Sequence, residues 1–225
     1  MDASKIKLII WDLDETFWNG TISEQKVAPV KQACDLVLLS SKKGIVNSIC
    51  SKNDEKPCID KLKEWGLDKY FVFNSINWEP KGQRIKDTVE SMNLRTCNVL
   101  FIDDNKLNLE EAKFFCPDIL TMLPDKIGEL YAAVSMLDKN DENYHVLKVT
   151  RCLKRKIRLK RVSVQMKNFC DRAISTLIFI RIVRNTLTDC MSLYSVQISL
   201  ILRKCVQRKT NLKRCLKIKM RNVNI

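Results

Sequence analysis

Residues 1–143 predict an α/β fold with a parallel sheet and helices on both of its faces. Three observations support this. Short apolar, β-prone runs alternate with segments of helical periodicity. Polar residues follow three of those runs at the point where each run ends. The intervening segments are long enough for a helical crossover between parallel strands.

The first predicted elements are a strand, a turn and a helix. Residues 5–11 predict the first strand, because they end in the apolar, β-prone run Leu8–Trp11, and residues 15–25 are a polar excursion in which Asn19-Gly20 signals a turn. The first helix is predicted over 30–41, because its apolar residues recur at helical spacing.

The remaining elements continue the alternation. Gly44 separates the first helix from the second strand, Gly66 ends the second helix, and Pro80-Lys81-Gly82 precedes the third. The further strands are predicted at 45–50, 70–73, 98–102 and 119–123, and the further helices at 55–65, 83–92, 107–115 and 126–136.

The net charge of +14 is not spread evenly along the chain. Residues 1–143 carry −5, whereas residues 144–225 carry +19 and contain only two acids. All five glycines and all five prolines also precede Tyr144. We therefore divide the chain into a domain at 1–143 and a basic, helical or irregular tail at 144–225. Such a tail suggests non-specific nucleic-acid or acidic-surface binding, or a charge run without function.

The composition argues against several other classes of protein. The ten cysteines form no C-x-x-C pair and His145 is the one histidine, so we expect no zinc site and reduced thiols. Residues 173–183 are too short to span a bilayer and contain Arg181. We expect no signal segment, because Met1-Asp-Ala-Ser-Lys5 leads directly into the first strand. We expect a cytoplasmic protein without a membrane partner.

Asp12 and Asp14 directly follow the first strand. In an extended segment, residues two apart lie on the same side. Two desolvated carboxylates so close need a cation, which suggests Mg²⁺ and a carboxylate able to attack phosphorus. The alternative for this stretch alone is a strand that runs into an acidic turn.

Ser51 follows the second strand, Asp103 and Asp104 follow the fourth, and Lys81 precedes the third helix. Because the carboxyl ends of parallel strands share one edge, we expect these side chains to meet Asp12 and Asp14 there. Taken singly, each has an ordinary alternative: a loop hydroxyl or helix cap, a solvated lysine, a helix-capping acid.

Each residue has a role in phosphoryl chemistry. Asp12 would be the nucleophile and Asp14 the general acid and base. Ser51 would donate to the phosphoryl group and Lys81 would offset its charge. The metal ligands would be Asp12, Asp14 through its backbone carbonyl, Asp103, and Asp104 with Asn108 nearby or through water. Trp18 and Trp78 are candidates for contacting substrate.

These residues resemble the four motifs of the haloacid dehalogenase (HAD) superfamily. The motif residues are Asp12-x-Asp14-x-Thr16, Ser51, Lys81 and Asp103-Asp104-x-x-x-Asn108. The fuller strings, including Asn53, are similar to subclass IIIC, the FkbH-like branch: Trp11-Asp-Leu-Asp-Glu-Thr-Phe-Trp-Asn-Gly-Thr21, Cys50-Ser-Lys-Asn-Asp54 and Phe101-Ile-Asp-Asp-Asn105. The resemblance implies a Rossmann-like fold and a Mg²⁺-dependent phosphatase, with the catalytic and metal-binding roles given above.

Two alternatives follow from that resemblance. A receiver domain also uses an acidic pocket and a lysine, but there the acidic pair comes first and the lysine last. The FkbH-like branch also includes glyceryl-transfer proteins, which move an acyl group from a phosphorylated three-carbon donor to a carrier protein. The short spacings between the motifs predict no large cap, so the substrate would be a phosphorylated small molecule or a carrier-linked one.

The tail has one further interpretation, an out-of-frame translation. Codons for Val164–Asp171, read from their last base, permit Ser-Asn-Glu-Glu-Phe-Leu-Arg. The same shift over Val196–Lys204 permits Thr-Asn-Gln-Leu-Asn-Phe-Thr-Lys, and over His145–Lys154 it permits Arg-Leu-Lys-x-Tyr-Lys-Val-Leu-Glu. These strings resemble FkbH-like proteins. On this hypothesis the tail has no proper core, and the chain could be an inactive product whose basic tail binds nucleic acid.

Overall fold

A computed structural model describes residues 2–24, 26–160 and 162–165. The chain separates into two units, Met1–Val162 and Ser163–Ile225, and the fold below is that of the first unit. The shifted-frame strings beyond residue 165 lie outside the described residues. Among the residues that are described, no helix is long and apolar enough to cross a membrane.

The described residues form seven strands: β1 (Leu8–Trp11), β2 (Trp18–Asn19), β3 (Ala28–Pro29), β4 (Val46–Ser51), β5 (Ser75–Ile76), β6 (Val99–Ile102) and β7 (Leu120–Met122). Five of them form the parallel sheet at the centre of the fold, in the order β5-β4-β1-β6-β7. A separate antiparallel pair, β2 and β3, lies in the segment after β1. The parallel α/β fold predicted from the alternation is confirmed.

Helices follow the strands of the main sheet. They are α1 (Lys31–Lys42), α2 (Glu55–Glu64), α3 (Lys81–Ser91), α4 (Lys106–Phe115) and α5 (Ile127–Ser135), with a sixth helical stretch, α6, at 145–160. Helix α3 begins at Lys81, two residues earlier than its periodicity indicates, so this lysine occupies the first helical turn.

The alternation of side chains along β1 explains the two helical layers. Ile9 and Trp11 pack on one face into a cluster with residues of α1, α2 and α5. Leu8 and Ile10 pack on the other face with residues of α3 and α4. All four residues of β1 are therefore buried, which is typical of a central parallel strand.

The strand predicted at 70–73 is wrong in position. Asp68–Tyr70 form a 3₁₀ turn, Phe71 makes a single bridge to Asn47, and the paired strand is Ser75–Ile76. Phe73 has a φ of 56°, a left-handed conformation that ends extended pairing. The chain is thereby redirected before it joins the edge of the sheet.

The first turns of the basic segment pack on the α/β unit. Asp141 caps helix α6 by accepting the backbone N–H groups of His145 and Val146 at 2.7 and 2.9 Å. Leu147 is buried in the cluster that contains α3 and α4. The Lys154 ammonium lies 5.8 Å from the Phe73 ring centroid. Packing on the unit therefore continues past the change in composition at residue 143.

Helices α3 and α4 approach most closely at Gly82. Its backbone N–H donates to Glu111 Oε1 at 2.9 Å. A Cβ placed on Gly82 would overlap the Phe115 ring and lie 3.0 Å from the backbone oxygen of Glu111. The absence of a side chain at this position allows the first turn of α3 to lie against α4.

We expect Gly82→Ala to lower the free energy of unfolding by about 1–3 kcal/mol, because the new methyl group overpacks the α3–α4 contact. Gly128→Ala is the matched control within a helix. Its Cβ would meet only Gln32 Oε1, at 3.8 Å, so the control should gain up to about 1 kcal/mol from helix propensity. Urea unfolding of both variants measures the difference, and equal shifts would show that the contact at Gly82 is not tight.

Candidate active site

The candidate site lies at the carboxyl ends of the central strands. The chain leaves β1 for β4 on one side and later returns to β6 on the other, which opens a crevice at the end of β1. Asp12 follows β1, Ser51 is the last residue of β4, and Asp103 follows β6. The parallel fold thus places the polar residues that end these three strands at one edge.

Lys81 joins two of these carboxylates from the first turn of α3. Its Nζ lies 2.7 Å from Asp12 Oδ1 and 2.7 Å from Asp103 Oδ2. Lys81 is only 2% exposed, so the alternative of a solvated lysine is wrong. A buried ammonium shared by two buried carboxylates is held by strong charge-assisted hydrogen bonds.

Burial and neighbouring charges shift the pKa values in this site. Burial, with a contribution from the Asp103 charge, raises the pKa of Asp12 to about 6, although Lys81 and the Ser51 hydroxyl oppose the shift. Burial lowers the pKa of Lys81, but the two carboxylates outweigh it and the pKa lies above its ordinary value. Burial and the Asp103 charge also raise the pKa of Asp104. Carboxyl groups with raised pKa values beside one another favour a bound cation.

The donor set fits Mg²⁺. Asp12, Asp103 and Asp104 each offer a carboxylate oxygen, and these oxygens lie within 4.8 Å of one another. Mg²⁺ prefers hard oxygen ligands at about 2.0–2.1 Å in octahedral geometry, which places opposite ligands about 4 Å apart. These three carboxylates are therefore the residues that would hold the ion.

Asp103 is the most firmly held of the three. Its Oδ1 accepts the backbone N–H of Asn105 at 2.8 Å and the Asn108 side-chain amide at 3.0 Å. Asn108 also lies 3.2 Å from Oδ2. In this structure Asn108 presents its nitrogen to the carboxylate and so orients Asp103.

The Asp14 carboxylate is bound to the segment that carries β2 and β3. Its Oδ1 accepts the Trp18 indole N–H at 2.7 Å and the backbone N–H of Ile22 at 3.2 Å, and Oδ2 accepts the Asn53 amide at 3.1 Å. Among the described residues, the three-carboxylate cluster does not include this side chain. The prediction that the backbone carbonyl of Asp14 binds metal stays a prediction.

Asn53 and Thr16 connect the loops of the site. The Asn53 amide donates to Ser51 Oγ at 3.2 Å as well as to Asp14. Thr16 Oγ1 accepts the backbone N–H of Asp104 at 3.1 Å, which ties the loop after β1 to the loop after β6. Both residues therefore support neighbouring site residues.

Two tryptophans near the site differ in environment. Trp18 is fully buried and packs against Trp65, so the prediction that Trp18 contacts substrate is wrong. Trp78 is 65% exposed and donates from its indole nitrogen to Asp54 Oδ1 at 3.0 Å. Its exposed ring stays a candidate for contact with substrate.

The sequence reasoning missed Arg84. This side chain is buried beside the site and donates to several backbone carbonyls. Four of its five acceptors are backbone carbonyls, which no sequence motif marks. The one available signal is an arginine on the apolar side of α3, one turn after Lys81.

No family model matches the chain, and no curated protein matches it. Solved structures give weak similarities. One is the N-terminal part of a Bacteroides fragilis protein, containing a phosphatase domain complexed with Mg, with 21% identity over 60% of this chain and a TM-score of 0.49. The chain spans only 41% of the chain in that structure.

Two other structures give similar values. The cobalt-bound deoxy-D-mannose-octulosonate 8-phosphate phosphatase of Haemophilus influenzae shows 15% identity over 54% of this chain and 67% of its own, with a TM-score of 0.42. A HAD-superfamily hydrolase of Ehrlichia chaffeensis shows 12% identity over 59% of this chain and 97% of its own, with a TM-score of 0.47.

We expect Lys81→Met to lower the free energy of unfolding by about 3–5 kcal/mol at pH 8, because it leaves two buried carboxylates without their cation. The loss should be smaller at pH 5, since protons on these carboxyls then replace the missing charge. Urea unfolding at both pH values measures this.

Lys31→Met is the control for that experiment. Lys31 also contacts a carboxylate, Asp35 at 3.2 Å, but its side chain is 90% exposed. Exposed pairs contribute about 0–1 kcal/mol. If both variants lost the same stability, the buried ammonium would not be what holds the two carboxylates.

Proposed function

We propose that this chain is a Mg²⁺-dependent phosphomonoester hydrolase that acts through an aspartyl-phosphate on Asp12. The observation that carries the proposal is the buried Asp12–Lys81–Asp103 set, with Asp104 beside it, at the crevice of a parallel sheet. Carboxylates with a shared ammonium suit phosphoryl transfer, in which catalysis depends on positioning and charge. The HAD-like order of the motifs supports the same chemistry.

In the first half-reaction, an Asp12 carboxylate oxygen bonds to phosphorus as the bond from phosphorus to the leaving oxygen breaks. Asp14 gives its proton to that leaving oxygen. The pKa of Asp12, raised by burial to about 6, still leaves it mostly ionised and nucleophilic at neutral pH. Lys81 stabilises this ionised form and the negative charge on the phosphoryl oxygens.

In the second half-reaction, water attacks the phosphorus of the aspartyl-phosphate. Asp14 accepts a proton from the water, the bond between phosphorus and Asp12 breaks, and inorganic phosphate leaves. Ser51 donates a hydrogen bond to a phosphoryl oxygen in both steps. Mg²⁺, held by Asp12, Asp103, Asp104 and the backbone carbonyl of Asp14, would neutralise charge on the phosphoryl oxygens when bound.

The size of the surrounding segments supports an open site. Between Ser51 and Lys81 the chain forms only α2, a 3₁₀ turn and β5, without room for a cap domain. Between Asp12 and α1, the residues that the structure describes add only the segment with β2 and β3. We propose an open site for a phosphorylated small molecule or a carrier-linked substrate. The second candidate function, glyceryl transfer to a carrier protein, would also need an open site.

We expect Asp12→Asn to abolish Mg²⁺-dependent hydrolysis of p-nitrophenyl phosphate, because an amide cannot form the acyl-phosphate. Asp14→Asn should lower kcat about 10²–10⁴-fold, the range of a lost general acid. Asp118→Asn is the control and should keep full activity, because Asp118 is exposed in the turn before β7, at the opposite edge of the parallel sheet from the carboxyl ends. Hydrolysis that survives in Asp12→Asn would exclude the proposed nucleophile.

Mg²⁺ should raise the melting temperature of the wild-type protein, because a ligand that binds the folded state stabilises it. Asp103→Asn should lose this response, since it removes a proposed ligand, while Asp118→Asn should keep it. Differential scanning fluorimetry with and without Mg²⁺ measures the shift. Folded protein that binds Mg²⁺ but hydrolyses no simple phosphate would favour the acyl-transfer function.

A further inference from the structure

Arg84 is a buried cation without an acidic partner. It is 6% exposed, and within the described ranges no carboxylate lies in ion-pair distance of its guanidinium. Burying an unpaired charge is costly unless neighbouring dipoles replace the solvent. The contacts that compensate this charge therefore show what the side chain holds in place.

Backbone carbonyls of two site loops supply that compensation. Nη1 donates to the carbonyl oxygens of Asn77 and Glu79, each at 3.0 Å, and Nη2 donates to that of Ser51 at 3.0 Å. Nη2 also donates to the carbonyl of Ser75, and Nε donates to Ser75 Oγ at 2.9 Å. The planar guanidinium thus joins the segment 75–79 to the end of β4.

Ser51 is the partner through which this contact reaches the site. Its carbonyl accepts from Arg84 and from the backbone N–H of Asn77, at 3.0 and 3.2 Å. Its hydroxyl faces Asp12 and the Asn53 amide. Lys81, by contrast, is already fixed by its two carboxylates. Loss of the guanidinium should therefore displace Ser51 more than Lys81.

We propose that Arg84 is a positioning residue that fixes Ser51 for binding the phosphoryl group. The inference rests on the proposed function, in which Ser51 donates to phosphate. Arg84 does not contact the substrate, because its five N–H donors are used by protein acceptors. Its effect belongs to phosphate binding and not to the attack by Asp12.

The test is a double-mutant cycle between Arg84→Lys and Ser51→Ala. Arg84→Lys keeps the charge but cannot span four carbonyls. We expect KM for p-nitrophenyl phosphate and Kd for inorganic phosphate each to rise about tenfold, with kcat changed less than about threefold. In the Ser51→Ala background, Arg84→Lys should add little, because residues that act through one another are not additive.

Val89→Ala is the control for a general loss of stability. Val89 is buried on the same helix, at 3% exposure, and takes no part in the site. It should lower the melting temperature, leave KM and Kd unchanged, and be additive with Ser51→Ala. An unchanged KM and Kd in Arg84→Lys, or effects that multiply with Ser51→Ala, would overturn the proposal.

A second variant and a binding measurement also test the proposal. If Arg84→Lys does not fold, Ser75→Ala removes only the Oγ acceptor and should raise KM and Kd about twofold, and an unchanged pair of values would overturn the inference. The inorganic-phosphate Kd, measured by isothermal titration calorimetry, is independent of turnover. If the two substitutions show coupled effects on the Kd but the protein hydrolyses no phosphate, only the hydrolase proposal is overturned. If the wild-type protein hydrolyses phosphate and Arg84→Lys leaves KM and Kd unchanged, only the positioning role is overturned.

Discussion

The rest of the site depends on the buried ammonium of Lys81. Asp12 and Asp103 end two neighbouring strands, and at 6% and 0% exposure neither can rely on water to stabilise its charge. The lysine can reach both carboxylates only because α3 starts at this residue and its next residue, Gly82, lets the helix lie against α4. Two consecutive residues therefore have complementary roles: Lys81 supplies the charge that the carboxylates need, and Gly82 allows α3 to pack closely on α4.

The two acids of the first loop have different environments although one residue separates them. Asp12 lies in the buried set and its pKa is raised, mainly by burial. Asp14 is partly exposed and its two oxygens accept three N–H groups, two of them from the segment that carries β2 and β3. The segment with β2 and β3 therefore holds Asp14, the proposed acid and base. The sheet holds Asp12, the proposed nucleophile. One loop can supply both roles because its neighbours come from different parts of the fold.

The convergence of the polar residues could be predicted, because carboxyl ends of parallel strands always share one edge. The single bridge at Phe71 and the position of β5 at 75–76 could not be predicted from the sequence. They accompany the left-handed conformation of Phe73 and a contact between residues distant in sequence, Tyr70 and Tyr144, whose ring centroids lie 5.8 Å apart. The contacts of Arg84 could not be predicted from the sequence for a related reason. Four of its five acceptors are backbone carbonyls, which every residue carries and no motif marks.

The change in composition at residue 143 does not coincide with the end of the packing. Asp141, on the acidic side of that boundary, caps the helix that begins at His145, and Leu147 and Thr150 of the basic side are buried. From residue 151 to 160 only Ile157 is not exposed. A chain cut at residue 143 would uncover apolar surface of the α/β unit and confuse loss of the basic segment with loss of stability. A cut after residue 154 keeps these contacts and removes most of the remaining charge, so it separates what the tail contributes to the fold from what it contributes to binding.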